Sequence, residues 1–152
     1  MAEYKRVMVH NLAPWQVSFP RKTMNGDVVI PANGRMYLDE QEVMMQFYAN
    51  NVLFIGTDGR GTHARIYIED ADIRKALNFD SQDGTTTQEI VTDELLKKIF
   101  AYKRQSDFEK AIKEHVVAHF EKFMLADFIQ RNDVNDYKKI RFVEEYAGVK
   151  MT

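Results

Sequence analysis

Apolar and polar residues alternate with a period of two through much of the first half of the chain. Residues 15–19 and residues 64–68 both show this alternation, which places apolar side chains on one face of a half-buried β-strand. Asn25-Gly26, a dipeptide favoured in hairpin turns, precedes a third apolar run at 28–30. The pattern therefore predicts short strands joined by turns, with a hairpin at Asn25-Gly26.

One short helix is expected among these strands, and Asp72–Leu77 could add a helical turn after them. Asp39 and Glu42 stand at the spacing of a capping box, in which each side chain accepts a hydrogen bond from the backbone of the other residue. Apolar residues at helical spacing follow in 43–48, and the helix should end near Asn50. The next apolar run, Val52–Ile55, is predicted to be a buried strand.

In the second half of the chain the apolar residues recur at intervals of three and four, the period of an α-helix. Three helices are predicted. The first begins after Thr92, and the second begins at a capping box in Ser106–Glu109 and extends to about Arg131. The third is capped by Asn135 and ends at Gly148, a residue type common just past the last turn.

The two halves are separated by a polar stretch without periodicity, residues 78–91, which is predicted to be a linker. The expected fold is α+β. A β-rich lobe at 1–77, with the form of a small sandwich or barrel and one short helix, precedes a three-helix region at 92–152.

Composition excludes several classes of site. The chain has no cysteine, so a disulfide framework, a thiolate metal site and a cysteine nucleophile are excluded. No apolar run approaches the length that spans a bilayer, so no membrane partner is expected. The net charge is −2, with acidic and basic residues spread over both halves, and this balance disfavours general affinity for nucleic acid.

His115 and His119 are the one candidate pair of metal ligands. They lie four residues apart on the predicted second helix, the spacing that places two imidazoles on one face for zinc. No third ligand can be named from the sequence, so two polar helix residues are the simpler interpretation. No metal or other cofactor is therefore predicted.

The glycine-rich segment Gly56–Thr62 resembles a phosphate-binding loop only superficially. It lacks the lysine of that motif, and the residues after it alternate as a strand instead of opening a helix. A hairpin turn whose glycines adopt positive φ is the better interpretation. Because no nucleophile, base and acid occur at a recognisable spacing either, the chain is predicted not to be an enzyme.

Basic residues near aromatic ones occur twice in the helical region. Lys138, Lys139 and Arg141 lie close to Tyr137 and Phe142, a combination that could contact nucleic acid. A charged outer face of an amphipathic helix is the favoured explanation of them. A second basic group in this region shows the same pattern and consists of Lys97, Lys98, Lys103 and Arg104.

Several short segments, taken in order, resemble small proteins from the structural gene clusters of tailed bacteriophages. They are Lys5–Asn11, Ile30–Arg35, Leu38–Val43, Ile66–Ile68, Ser106–Glu109, Asn135–Lys139 and Glu144–Gly148. Asn50-Asn51 and Thr57–Gly61 depart from the pattern, because a Gly-Gly turn would be expected before the last strand. No catalytic residue carries over from these proteins.

The resemblance implies a non-enzymatic virion component made in the host cytoplasm. A capsid-associated auxiliary or decoration protein that binds the major capsid protein is expected, with neck and tail positions left open. The alternative is a nucleic-acid-binding or regulatory phage accessory protein that uses the C-terminal helices. A homo-oligomer is compatible with either. The expected contact residues are Trp15, Thr57, Asp58 and Arg60 on turns, and Phe100, Phe123 and Tyr146 on helices.

Overall fold

A computed structural model describes residues 5–150 of the chain. It divides into two compact units, one extending to Ile90 and the other beginning at Val91. The first unit contains all five strands of the described residues together with three helices, and the second contains helices alone. The predicted α+β class, with a strand-rich N-terminal region, is therefore confirmed.

The elements follow one another in a simple order along the chain. The strands are β1 Arg6–Asn11, β2 Val17–Pro20, β3 Asp27–Ile30, β4 Arg35–Asp39 and β5 Ile66–Ile68. The helices of the first unit are α1 Glu40–Tyr48, α2 Val52–Ile55 and α3 Ala71–Ala76. Those of the second unit are α4 Asp93–Phe100, α5 Gln105–His115, α6 His119–Arg131 and α7 Tyr137–Ala147.

β1 is the central strand of a three-stranded antiparallel sheet with the order β4-β1-β5. Its residues alternate as the period of two requires: Val7 and Val9 are buried, whereas Arg6 is exposed and Met8 is half-buried. β2 and β3 form a separate two-stranded hairpin, which confirms the hairpin predicted around Asn25-Gly26. Neither sheet closes on itself, so the barrel-like alternative is not what forms.

Both sheets contribute their apolar faces to one core in the first unit. A buried amide joins them, since Asn11 Nδ2 donates to the carbonyls of Trp15, Ile30 and Pro31 at 2.8, 3.2 and 3.0 Å. Asn11 Oδ1 in turn accepts from the Ala13 amide. Every polar atom of this fully buried side chain is therefore satisfied, as burial of an amide requires.

The run Val52–Ile55 is a helical turn, so its prediction as a buried strand is wrong. Asn51 caps it by accepting a hydrogen bond from the Leu53 amide at 3.1 Å. Of the four residues only Phe54 is buried, and Val52 is 67% exposed. α3, capped by Asp70, forms at the position of the helical turn considered for Asp72–Leu77, so the first unit has three helices where one short helix and that turn were expected.

The stretch predicted as a linker is packed into the first unit as far as Ile90. Phe79, Asp80 and Gln88 are all buried, although the segment around them is polar. Asp80 accepts from the Arg74 guanidinium at 3.0 Å and from the Gln88 amide at 2.8 Å. These contacts come from residues six and eight positions away, which a test of local periodicity does not detect.

The second unit has four helices instead of the predicted three. The long helix expected up to Arg131 is interrupted at Val116–Ala118, and the expected capping box in Ser106–Glu109 is not used, because α5 begins at Gln105. The buried carboxylate of Glu121 accepts hydrogen bonds from the Val117 and Ala118 amides, at 3.1 and 2.8 Å. A new helix start is thereby stabilised inside the predicted one.

The outer ends of the helical unit agree better with prediction. Thr92 Oγ1 accepts from the Leu95 amide at 3.1 Å, and Gly148 ends α7 in the left-handed conformation with a φ of 72°. The cap of α7 is Asp136, whose side chain accepts from the Lys139 amide, instead of the predicted Asn135.

Candidate functional site

A concave surface with convergent polar groups lies between two loops of the first unit, and we call it the loop cleft. Its volume is about 610 Å³. One wall comes from the segment 56–63, which we call loop A, and the other from the segment 78–89, which we call loop B. The lining residues are Asp58, Arg60, Thr62, Asn78, Phe79, Asp80, Ser81, Gln82, Thr86, Thr87 and Glu89.

Loop A is closed on itself by hydrogen bonds centred on Asp58. Its Oδ1 accepts from the Arg60 amide at 2.8 Å, and its Oδ2 accepts from the Thr62 hydroxyl at 2.6 Å. Gly56 makes this closure sterically possible, since its φ is 72° and a Cβ there would lie 2.2 Å from the Thr62 carbonyl oxygen. The loop follows a helix, so the hairpin turn predicted for it is not what forms.

The ionisation of Asp58 reflects this network. Partial burial by itself would raise the pKa of Asp58, but the hydrogen bonds from the Thr62 hydroxyl and from the Arg60 and Thr62 amides together outweigh it. The pKa of Asp58 therefore lies below its ordinary value. The carboxylate stays charged at neutral pH and holds the loop closed instead of exchanging protons.

Loop B is ordered in the same way by Asp83. Its Oδ1 accepts from the Ser81 hydroxyl at 2.7 Å and from the Thr85 amide and hydroxyl at 3.1 and 2.8 Å. These hydrogen bonds lower the pKa of Asp83 to about 2. The Ser81 amide also donates to the Thr86 carbonyl at 2.8 Å, which closes the loop across its base.

Two contacts hold the loops against each other. Gln88 Nε2 donates to the Gly61 carbonyl at 2.7 Å, and the His63 amide donates to the Glu89 carbonyl at 2.9 Å. Gly61 must lack a side chain here, because a Cβ would lie 2.4 Å from Gln88 Nε2. These contacts within the first unit therefore fix the width of the loop cleft.

Two of the carboxylates that line the loop cleft are engaged within the first unit, whereas its cation is exposed. Asp58 and Asp80 already accept hydrogen bonds from their own unit, and Arg60 is exposed at the rim. Phe79 supplies an apolar contribution to a lining that is otherwise mostly polar. Such a surface fits a polar segment of another macromolecule that carries a carboxylate for Arg60.

Three of the four contact residues predicted on turns belong to loop A. Asp58 and Arg60 line the loop cleft, and the neighbouring Thr57 is exposed beside them. Trp15 lies elsewhere, half-buried before β2 with the Arg65 guanidinium 5.4 Å from its ring centre. The structure therefore brings together Asp58 and Arg60 and leaves Trp15 outside the site.

The three predicted contact residues on helices are half-buried within the second unit. Phe100 packs with its ring centre 5.0 Å from those of Phe108 and Phe128. Tyr146 donates its hydroxyl proton to the Val116 carbonyl at 2.6 Å. The third, Phe123, lies with its ring centre 4.9 Å from that of His119. These contacts explain the rings by internal packing, and their role at an interface stays a prediction.

One of the basic residues predicted on α7, Lys139, is buried and binds backbone groups of its own unit. Lys139 is 8% exposed, and its ammonium donates to the Phe100 and Tyr102 carbonyls at 2.6 and 2.8 Å, which completes the C-terminal end of α4. It is thereby removed from any phosphate contact, while Lys138 and Arg141 remain exposed. The second basic group, Lys97, Lys98, Lys103 and Arg104, is exposed, and the exposed Tyr102 precedes Lys103 in the sequence.

The histidine pair does not form the predicted arrangement. His115 is the last residue of α5 and His119 is the first of α6, so the argument that one helical face presents both rings is wrong. Among residues 5–150, no three or more histidine, aspartate or glutamate side chains are grouped so that they could hold a metal ion.

No protein-family model, no curated protein and no solved structure matches this chain. Within the described part of the chain, none of the helices combines the length and the apolar character needed to cross a membrane.

The residues that sequence reasoning missed are Arg74, Asp80 and Gln88, which fix the loop cleft. Their only sequence signal is their polarity, since their partners come from other segments.

Proposed function

We propose that this chain is a non-enzymatic structural component of a tailed-phage virion and binds the major capsid protein as an auxiliary or decoration protein. The observation that carries the binding role is the loop cleft, whose two loops are each closed by internal hydrogen bonds and joined by Gln88. A surface that is ordered in advance loses little conformational entropy on binding. This property favours a repeated, stoichiometric contact.

Arg60 is the residue we assign to the recognition of the partner. It is the one cation among the residues that line the loop cleft, and its backbone is held in place by Asp58. Its side chain is exposed, so it can form a bidentate pair with a carboxylate of the partner. The contact is expected to involve an acidic segment of the capsid protein.

The phage assignment is supported by the segment order described above. Within the first unit, the segments that carry the resemblance fall on β1, the turn between β3 and β4, the start of α1, and β5. Quantitative mass spectrometry of purified particles from the source phage tests the assignment. We expect a fixed ratio to the major capsid protein, and absence from particles would contradict the proposal.

The charge of Arg60 provides a sharper test. Particles assembled with Arg60→Glu should contain at least about tenfold less of this chain, because reversing the charge places like charges at the contact. Lys110→Glu, which makes the same kind of change at an exposed position of α5, serves as the control and should be incorporated normally. Equal incorporation of both variants would remove Arg60 and the loop cleft from the contact.

One observation favours a second candidate, a nucleic-acid-binding accessory protein. Lys97, Lys98, Lys103 and Arg104 are exposed, and Tyr102, which lies beside Lys103 in the sequence, is 45% exposed, so cations and an aromatic ring occur in one short exposed segment. If this group binds DNA, the affinity should fall steeply with rising salt. The double variant Lys103→Glu, Arg104→Glu should then abolish the low-salt mobility shift.

The virion proposal makes the opposite prediction for the same measurement. The wild-type chain should leave the mobility of double- and single-stranded DNA unchanged even at low ionic strength, because its net charge is −2. A salt-dependent shift that the double variant removes would transfer support to the accessory-protein candidate.

A further inference from the structure

One edge of the three-stranded sheet is unpaired, and it belongs to β4. The β1–β4 register is set by hydrogen bonds at its two ends, from Asn11 N to Gly34 O at 2.8 Å and from Glu40 N to Lys5 O at 2.7 Å. Residues of even number in β4 therefore bond to β1, and those of odd number direct their N–H and C=O groups away from it. The outward groups belong to Arg35, Tyr37 and Asp39.

The opposite edge belongs to β5, which has only three residues and one of whose two outward carbonyls is occupied. The Ile68 carbonyl at the β5 edge accepts a hydrogen bond from Arg74 Nη1 at 2.6 Å. Along β4, none of the hydrogen bonds among the described residues uses the outward backbone groups of Arg35 and Tyr37. The Asp39 amide is also free of such hydrogen bonds, whereas the Asp39 carbonyl, at the N-cap of α1, accepts the first hydrogen bond of that helix. Unpaired strand edges are templates for pairing with another strand, and proteins commonly shield them. β4 is therefore the edge that remains available.

We propose that a second copy of this chain pairs with β4, antiparallel and related by a two-fold axis at Tyr37. In this register Tyr37 lies opposite Tyr37 of the second copy, and Arg35 lies opposite Asp39 at both ends. The outward backbone groups of the two strands then face one another, which allows about four interchain hydrogen bonds, two between the Tyr37 residues and one from each Asp39 amide to an Arg35 carbonyl. The two three-stranded sheets become one sheet of six strands.

The charges on β4 select this register. Arg35 and Asp39 are equally distant from Tyr37, so the two-fold axis places opposite charges against each other twice. A register shifted by two residues would place Arg35 opposite Tyr37 of the second copy. A shift of four residues would place Arg35 opposite Arg35, so that like charges meet. Because β4 carries a cation near one end and an anion at the other, two antiparallel copies of the strand bring opposite charges together at both ends.

The side chains at this edge are available for the pairing. Asp39 occupies the N-cap position of α1, yet its carboxylate makes no cap hydrogen bond. Arg35 uses its Nε to bind Glu69 at 2.6 Å, and its terminal nitrogens remain for the second copy. Tyr37 is 51% exposed, with the Arg6 guanidinium 4.9 Å from its ring centre.

The expected dimer is weak, because β4 has only five residues and the paired edges bury less surface than a stable interface needs. Sedimentation equilibrium of the full chain between about 10 μM and about 1 mM should show reversible association toward twice the mass of one chain. This inference does not rest on the virion proposal. It also holds for the purified protein alone.

A charge exchange tests the register. Asp39→Arg and Arg35→Asp each place like charges opposite one another and should weaken the dimer by about tenfold or more. The double variant Arg35→Asp, Asp39→Arg restores opposite charges and should recover most of the wild-type affinity. Asp72→Arg, at an exposed position of α3, is the matched control and should dimerise like the wild type.

Amide hydrogen exchange of the wild-type chain gives a measurement that does not depend on any variant. Protection of the Tyr37 and Asp39 amides should rise with protein concentration, whereas the inward Met36 and Leu38 amides should be protected throughout. A chain that stays monomeric over the whole range overturns the proposal. So does a dimer whose affinity is unchanged by both single charge reversals.

Discussion

Replacing Asp80 with alanine should lower the free energy of unfolding of the first unit by about 3–5 kcal/mol. Asp80 and Arg74 are both buried, and their contact at 3.0 Å would be lost, leaving the Arg74 cation without its partner carboxylate. The Gln88 amide would also lose its acceptor. Urea denaturation followed by the fluorescence of Trp15, the single tryptophan, reports on this unit.

Two further variants show whether the loss arises from the buried pair. Asp72→Ala removes an exposed carboxylate from the same region and should change stability by less than about 0.5 kcal/mol. The double variant Arg74→Met, Asp80→Leu removes both charges and should be more stable than Asp80→Ala alone. If Asp80→Ala were no more destabilising than Asp72→Ala, the buried pair would not be what fixes loop B.

Replacing Glu42 with glutamine should destabilise the first unit by about 2–4 kcal/mol. The Glu42 carboxylate is buried in α1 and accepts from the Lys22 amide at 2.9 Å, the Thr23 hydroxyl at 2.9 Å and Gln46 Nε2 at 3.0 Å. It thereby joins α1 to the loop of the β2–β3 hairpin. Glutamine keeps one acceptor oxygen but directs an NH₂ group at these donors, and the hydrogen bonds lose their ionic character.

The same residue makes stability depend on pH. Burial alone would raise the pKa of Glu42, but the hydrogen bonds from Lys22, Thr23 and Gln46 outweigh it and leave the pKa below the ordinary value of 4.5. A carboxyl with a lowered pKa in the folded state stabilises the fold above its unfolded pKa, and this contribution is lost as the pH falls through the folded pKa. Wild-type stability should therefore fall on acidification below about 4.5, and less so in Glu42→Gln.

Denaturation midpoints collected between pH 3 and pH 7 measure both effects. Glu40→Gln makes the same chemical change in the same helical turn and is the control, because Glu40 is only partly buried. It should lie within about 0.5 kcal/mol of the wild type at pH 7. Parallel stability curves for wild type and Glu42→Gln over the acidic range would contradict the role given to this carboxylate.

Much of the local structure follows from the sequence alone. The period-two runs correspond to strands β2 and β5, because alternate burial on a pleated strand leaves a direct trace in the sequence. Thr92 and Gly148 mark helix ends, since their side-chain oxygen and left-handed backbone act on immediate neighbours. Such signals are reliable because cause and effect lie within one turn.

Predictions failed where the local pattern fitted two structures or where a distant residue contributed to the outcome. Val52–Ile55 is a four-residue apolar run that fits either a strand or a helical turn, and the Asn51 cap selects the turn. The interruption at Val116–Ala118 occurs within an apolar pattern that continues across it. It depends on Glu121 and on the Tyr146 hydroxyl, which lies 30 residues from the Val116 carbonyl that it binds.

At the candidate site, too, the sequence predicted some of the residues, and the tertiary structure decided how they are arranged. The sequence indicated Asp58 and Arg60 because a glycine-rich polar turn is a common contact loop. Only the tertiary structure decided that loop B lies opposite, that Gln88 joins the two loops and that Lys139 is unavailable for phosphate. The sequence by itself determined the α+β class, the hairpin and several helix ends, because local propensities produce them. The tertiary structure decided the loop cleft and the open β4 edge, because both depend on which distant segments satisfy the hydrogen-bonding groups of the chain.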